Sequence, residues 1–264
     1  MNIVKKAVKW SLRRCGVEVR RAAPDALGSG DRMIDFLRVL KSAGFAPKTI
    51  FDIGANRGRW TASSLEVFPS ADYTLFEPQA HLGDDIRAIA AAHPHVRWRQ
   101  CCVSDACGTA EFAQSEWDVC SRLATAEAEG CRDESAKRIS VETTTVDEEI
   151  RKGSAIPDLL KIDAEGHDLS VLDGAKSALG ITTVLLVEAA VCCPTMPNTV
   201  ERIIPRMTAE GYSMAGIVDL NDQQLGPGHS IPGLLWLADF AFVLTKSPLM
   251  SKLQGTNGTA THGA

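Results

Sequence analysis

A dense group of proton-handling side chains that includes a histidine is "KIDAEGH", which holds Asp163, Glu165 and His167 within five residues. Bond formation at a hydroxyl oxygen requires a base that takes its proton, and these three residues are candidates together with Glu188 at the end of the next apolar run, "TTVLLVEAAV". An unperturbed imidazole titrates near about 6.5, which suits that task. The plainer reading of His167 is a solvent-facing residue at a helix start. Asp163 closes an apolar run and reads as a base or an orienting acid. Lys161 shares its strand face and can ion-pair with it, or is an ordinary strand lysine. Asp163, Glu165 and Glu188 also make an oxygen-rich set of the kind Mg²⁺ takes. Hydrogen bonding to a ligand and to backbone explains the same three carboxylates, and a metal is not the favoured reading.

A second group lies in "TIFDIGANRGRW". Gly54 and Gly58 stand where a strand turns into a helix, so backbone N–H groups are available and a ligand can approach the main chain closely. Glu77 closes the following strand, where a carboxylate meets two ribose hydroxyls. A G-x-G-x-x-G dinucleotide fingerprint begun at Gly54 would need glycines where Asn56 and Arg59 stand. Asp52, inside the first strand, suits a ligand that carries an ammonium and a sulfonium better than one that carries a pyrophosphate. The residues therefore point to S-adenosylmethionine, with a dinucleotide and a purely structural turn as the remaining readings. His81 fits a surface or adenine-edge position.

Positioning these groups takes alternating strands and helices. "TIFDIG", "DYTLFE", "HVRWRQCCV", "DLLKID", "TTVLLVEAAV", "SMAGIVDL" and "ADFAFVLTK" read as strands, and the segments between most of them show helical spacing. Asn56 is the expected N-cap of the first intervening helix, and Pro205 is expected to kink a later one. The pattern predicts an α/β fold, a Rossmann-like doubly wound and mostly parallel sheet of about seven strands, with ligands at the carboxyl ends of the strands. Between residues 104 and 146 a hairpin-like insertion is expected, pairing Phe112 with the run 139–146 around a loop that contains Trp117. Trp117 is either an acceptor-stacking residue or a loop anchor. The expected organisation is a basic amphipathic helical extension over 1–46, a catalytic domain over 47–246 and a disordered tail over 247–264.

Composition narrows the class. The 264 residues carry a formal net charge of -5, with a pI near 5.7, which argues against a general nucleic-acid binder. No apolar run approaches the roughly 20 residues that span a bilayer. The N-terminus interleaves Lys5, Lys6, Lys9, Arg13 and Arg14 with Val4, Val8, Trp10 and Leu12. That pattern reads as a helix covering the sheet edge or as a peripheral contact with an anionic membrane. The eight cysteines show no C-x-x-C spacing, so reduced thiols in a cytoplasmic protein are expected rather than a metal site. Oligomeric state is left open.

"FDIGANRGRW", "FEPQ", "CCVSDACGTAEF", "TTTVDEEI", "LLKIDAEGHDLSVLDGA" and "VLLVEA" occur in the order and spacing of the FkbM-type methyltransferases, and the chain resembles that family over residues 49–190. The resemblance implies a class I S-adenosylmethionine-dependent fold and an O-methyltransferase acting on a hydroxyl of a sugar, glycan or secondary metabolite. It implies that Asp52, Gly54, Ala55, Asn56 and Gly58 line the methionine end of the donor. Glu77 would bind the ribose, and Val103, Ser104 and Asp105 would sit by the adenine. Asp163, Glu165 and Gly166 would face the methyl group. Methylation of nitrogen or of a carboxylate needs the same donor residues, and a non-catalytic donor-binding scaffold at a membrane is a third reading.

Overall fold

The computed structural model describes residues 29–115, 122–123, 136–192, 196–221 and 235–255. The basic stretch 1–21, Trp117 and the residues from 256 onward lie outside the described residues.

Helix α1 (Ser29–Ser42) leads into β1 (Thr49–Ile53), α2 (Arg59–Val67), β2 (Asp72–Phe76), a 3₁₀ turn (Ala80–Leu82), α3 (Gly83–Ala92) and β3 (Val96–Arg99). The insertion then supplies β4 (Cys102–Val103), β5 (Gly108–Gln114), β6 (Arg122–Leu123) and β7 (Lys137–Thr144). The alternation resumes with α4 (Val146–Arg151), β8 (Leu159–Ile162), α5 (Asp168–Asp173), β9 (Val184–Ala190), α6 (Val200–Ala209), β10 (Tyr212–Asn221), β11 (Leu237–Leu244) and α7 (Pro248–Leu253).

Seven strands form the main sheet in the order β10-β11-β9-β8-β1-β2-β3. All pairs from β9 to β3 are parallel, and β11 alone runs against its neighbours. This is the expected doubly wound sheet. Its central strands are buried on both faces, which is why "TIFDI", "LLKI" and "VLLVEAA" are almost continuously apolar. One face packs Ile50, Leu159, Leu186 and Ala241 under α1 and α2, and the other packs Phe51, Leu160, Val187 and Phe242 under α5 and α6.

The structure departs from expectation in three places. Cys102 and Val103 do not continue β3 but leave the main sheet to pair with β7 in a second sheet, β4-β7-β5-β6, in which Phe112 stands opposite Ile139. Asn56 does not cap α2. The residue before that helix is Gly58, held at φ 72°, and the Asn56 carbonyl side-chain oxygen accepts from the Arg57 N–H instead. Residues 29–42, expected within the N-terminal helical extension, form α1, and its Met33, Ile34, Leu37 and Leu40 are buried in the core. The tail does not begin at 247, because Ser247 caps α7 through the Met250 N–H, and Leu249 and Met250 are buried. Pro205 lies inside α6.

Candidate active site

The turn after β1 binds a side chain of its own chain. The N–H groups of Gly54 and Ala55 both donate to the Phe76 carbonyl, at 3.0 and 3.1 Å. The Asn56 N–H donates to Glu77 Oε2 at 2.9 Å, and the Gln79 N–H donates to Glu77 Oε1 at 2.9 Å. The Glu77 carboxylate, only 3% exposed, therefore sits where a phosphate would otherwise meet the turn. Burial raises its pKa, and the two backbone donors oppose that rise. The Gln79 side chain also bonds the carboxylate, and the acceptor capacity that is left suits a hydroxyl-bearing ligand, whereas the negative charge repels a pyrophosphate.

Opposite this turn, "DAEGHD" wraps around Asp168, the first residue of α5. The fully buried Asp168 carboxylate accepts from the Ala164 N–H at 3.1 Å, the Gly166 N–H at 3.2 Å and Asn198 Nδ2 at 2.7 Å. Burial pushes Asp168 up to about 7, against the pull of its backbone donors, and the Asp163 charge adds to the rise. The wrap places Glu165 at φ 52° and Gly166 at φ 94°. A left-handed glutamate costs about 1–2 kcal/mol, so the loop is held in a conformation that its own sequence disfavours. Asp163, Glu165 and His167 are thereby presented, half-buried, to one space. The two turns also touch. A Cβ on Gly54, whose φ is 75°, would lie 1.8 Å from the Asp163 carbonyl oxygen, so only glycine lets β1 and β8 end side by side here.

Between them lies a cleft, open on one side, whose empty space together with the solvent at its mouth comes to about 630 Å³. Gly54, Asn56 and Glu77 form one wall, and Asp163, Ala164, Glu165 and His167 form another. Phe76, Pro78, Val103, Phe112 and Leu123 supply an apolar surface beside Glu77. The second sheet contributes to this surface, so the insertion builds part of the cleft. Cys101 and Cys102 also line it, and burial raises both thiols, Cys101 to about 12, so they remain protonated.

Asp52 lies beneath the cleft rather than in its wall. Its carboxylate is fully buried, accepts from Thr61 Oγ1 at 2.6 Å and stands 3.5 Å from Lys161 Nζ, which also binds Asp163 at 2.9 Å. Burial raises the Asp52 pKa in spite of these partners. For Lys161 burial acts downward, and the charges of Asp163 and Asp52 outweigh it, so the ammonium is retained. Ala55, Gly58, Ser104 and Asp105 do not line the cleft. A Cβ on Gly58 would meet Ile89 at 2.7 Å, which makes it a packing glycine. Ser104 acts on the cleft through His167. Its hydroxyl donates to Asp105 Oδ1 at 2.8 Å and stands 2.9 Å from His167 Nε2.

Sequence reasoning missed Asp168 and Asn198, which shape the loop, and Asp239, which stands opposite Glu188 on β11. An acid at the first turn of a helix after a glycine was a usable signal for Asp168. Among the described residues, no group of three or more His, Cys, Asp or Glu is arranged to hold a metal ion, and Asp163, Glu165 and Glu188 do not form one. Nor is any described helix long and apolar enough to cross a membrane.

No curated protein matches the chain by sequence. Solved structures that resemble it in outline include a precorrin-6y C5,15-methyltransferase from Geobacter metallireducens, at 11% identity and a TM-score of 0.43 over 79% of this chain and 87% of that one. A 1,6-didemethyltoxoflavin-N1-methyltransferase from Burkholderia thailandensis aligns at 14% identity and a TM-score of 0.41, over 91% and 87% of the two chains. An N-methyltransferase from Bradyrhizobium japonicum aligns at 11% and 0.44, over 80% and 93%. The methyltransferase FkbM domain matches residues 52–214, a span that begins at the first turn's own strand, takes in both walls of the cleft and ends in β10. With that match over more than half its length, the chain belongs to the FkbM methyltransferase family and is an S-adenosylmethionine-dependent methyltransferase.

Proposed function

We propose that the enzyme transfers a methyl group to a hydroxyl oxygen of a sugar, glycan or secondary metabolite. The observation that carries this reading is a single cleft with a carboxylate suited to hydroxyls and an apolar surface at one end and three proton-handling side chains at the other. The residues present fit the donor. Glu77 takes the ribose hydroxyls, Val103 and its apolar neighbours take the adenine, and Gly54, Asn56 and Asp163 border the methionine end. Asp52 acts from below, by fixing Thr61 and Lys161.

Bound S-adenosylmethionine supplies an electrophilic methyl carbon on a sulfonium. The chain's own residues position the acceptor and move its proton. His167 is the proposed base. Because the Ser104 hydroxyl proton is engaged by Asp105, Ser104 accepts from His167 Nε2–H, which leaves the lone pair of the neutral ring on Nδ1. The acceptor's proton passes to Nδ1 as the oxygen–carbon bond forms. Asp163, held by Lys161, orients the acceptor hydroxyl, and Glu165 flanks the same space.

The test is transfer of label from methyl-labelled donor to hydroxylated sugars and metabolites, with the methylated position read by mass spectrometry. His167→Ala should lower turnover by roughly 10²-fold or more, the usual worth of a general base, with S-adenosylhomocysteine affinity changed less than several-fold. A His167→Ala enzyme of full activity, or methylation at nitrogen alone, would overturn this assignment.

A further inference from the structure

The carboxyl ends of β8, β9 and β10, with the amino end of antiparallel β11 between β9 and β10, carry a row of acids of which methyl-donor binding uses only Asp163. Asp239 pairs with Glu188 on one side and with Asp219 on the other. Asp163 follows Ile162, whose partner is Val187, so it continues that register to Glu188. The four side chains thus stand on adjacent strands, at roughly 4.8 Å intervals, on the face covered by α1. Directly opposed like charges destabilise a sheet, so the row needs a reason.

Two cations act on it from the described residues. Lys161 binds Asp52 and Asp163 and reaches Asp239 by charge without a hydrogen bond, and Arg32 of α1 acts on Asp219. Glu188, 6% exposed, has no hydrogen-bond partner for Oε2 among the described residues, and Asp239 has none for its buried Oδ1. Both face the negative charge of Asp163 and Asp168, and burial with that charge raises both, Asp239 to about 8. A buried carboxylate oxygen without a donor is costly; a proton offsets that cost in the free protein, and a ligand ammonium takes the proton's place. The row begins at Asp163 in the cleft wall.

We propose that the acceptor carries a protonated amine seated between Glu188 and Asp239, one to two strands, or roughly 5–10 Å, beyond the hydroxyl that is methylated. This rests on the hydroxyl-methylation reading above and adds the acceptor's charge to it. Glu188 and Asp239 bind and orient the acceptor; they take no part in proton transfer.

The test uses the full chain saturated with S-adenosylhomocysteine. It is titrated calorimetrically, slightly below neutral pH, with glucosamine and with N-acetylglucosamine, which share their hydroxyls and differ in the charge at nitrogen. Glucosamine should bind about tenfold tighter or better, the worth of a charge-assisted hydrogen bond. In the double variant Glu188→Gln, Asp239→Asn the two sugars should bind alike, while S-adenosylhomocysteine affinity, which also reports folding, stays as in the wild type. Equal affinities in the wild type, no binding of glucosamine, or a preference that survives the double variant overturns the inference. Failure of the wild-type protein to bind S-adenosylhomocysteine would instead defeat the donor reading beneath it.

Discussion

Glu77 decides what the glycine turn can hold. Without it, the N–H groups after β1 would resemble an anion site. With its carboxylate held by Asn56 and Gln79, the turn offers acceptors to a hydroxyl-bearing ligand. Glu77→Ala should weaken S-adenosylhomocysteine binding by roughly 1–3 kcal/mol, and Glu77→Gln, which keeps one oxygen, should fall between that variant and wild type. Unchanged affinity in both would remove the ribose role. Glu77 was legible in the sequence from its place at a strand end. The location of Asp52 was not, because the partner that holds it, Lys161, is 109 residues away along the chain and adjacent only through the β1–β8 register.

The loop between β8 and α5 is an element shaped from outside itself. Asp168 satisfies two loop N–H groups, and Asn198, from the segment before α6, satisfies Asp168. Asp168→Ala should lower kcat at least about tenfold, because two buried N–H groups lose their acceptor and His167 loses its placement, while donor affinity changes less. An unaffected kcat would show that the loop holds its shape alone. Gly54→Ala should be worse, since the added Cβ falls on the Asp163 backbone; loss of about 2 kcal/mol or more, read from denaturant melts, is expected. The buried parallel strands and the Phe112–Ile139 hairpin could be read from apolar runs and alternation. The departure of Cys102 and Val103 into the second sheet could not, because "HVRWRQCCV" is continuous as a pattern and breaks only where β7 offers a partner. Likewise α7 was too short to show periodicity, and its burial depends on the core beneath α1.

At the scale of the molecule, the buried acids tie stability to pH. Folding raises Asp239 from 3.8 to about 8 and Asp168 from 3.8 to about 7, and raises Glu188 as well. In that window the folded state binds protons that the unfolded state has released, so stability is highest below the ordinary carboxylate value and falls as pH rises towards about 8. Melting temperature should therefore decline between mildly acidic and mildly alkaline pH, and Asp239→Asn should flatten the decline; a melting temperature that rises over this range would contradict the picture. The central claim, that one cleft joins a donor site to a methyl-acceptor site, is tested most directly by calorimetric titration of the full chain with S-adenosylhomocysteine, with NAD titrated in parallel. Micromolar binding of S-adenosylhomocysteine, no binding of NAD, and weaker binding of the first in Glu77→Ala are expected. Binding of NAD, or binding of neither, would contradict that claim.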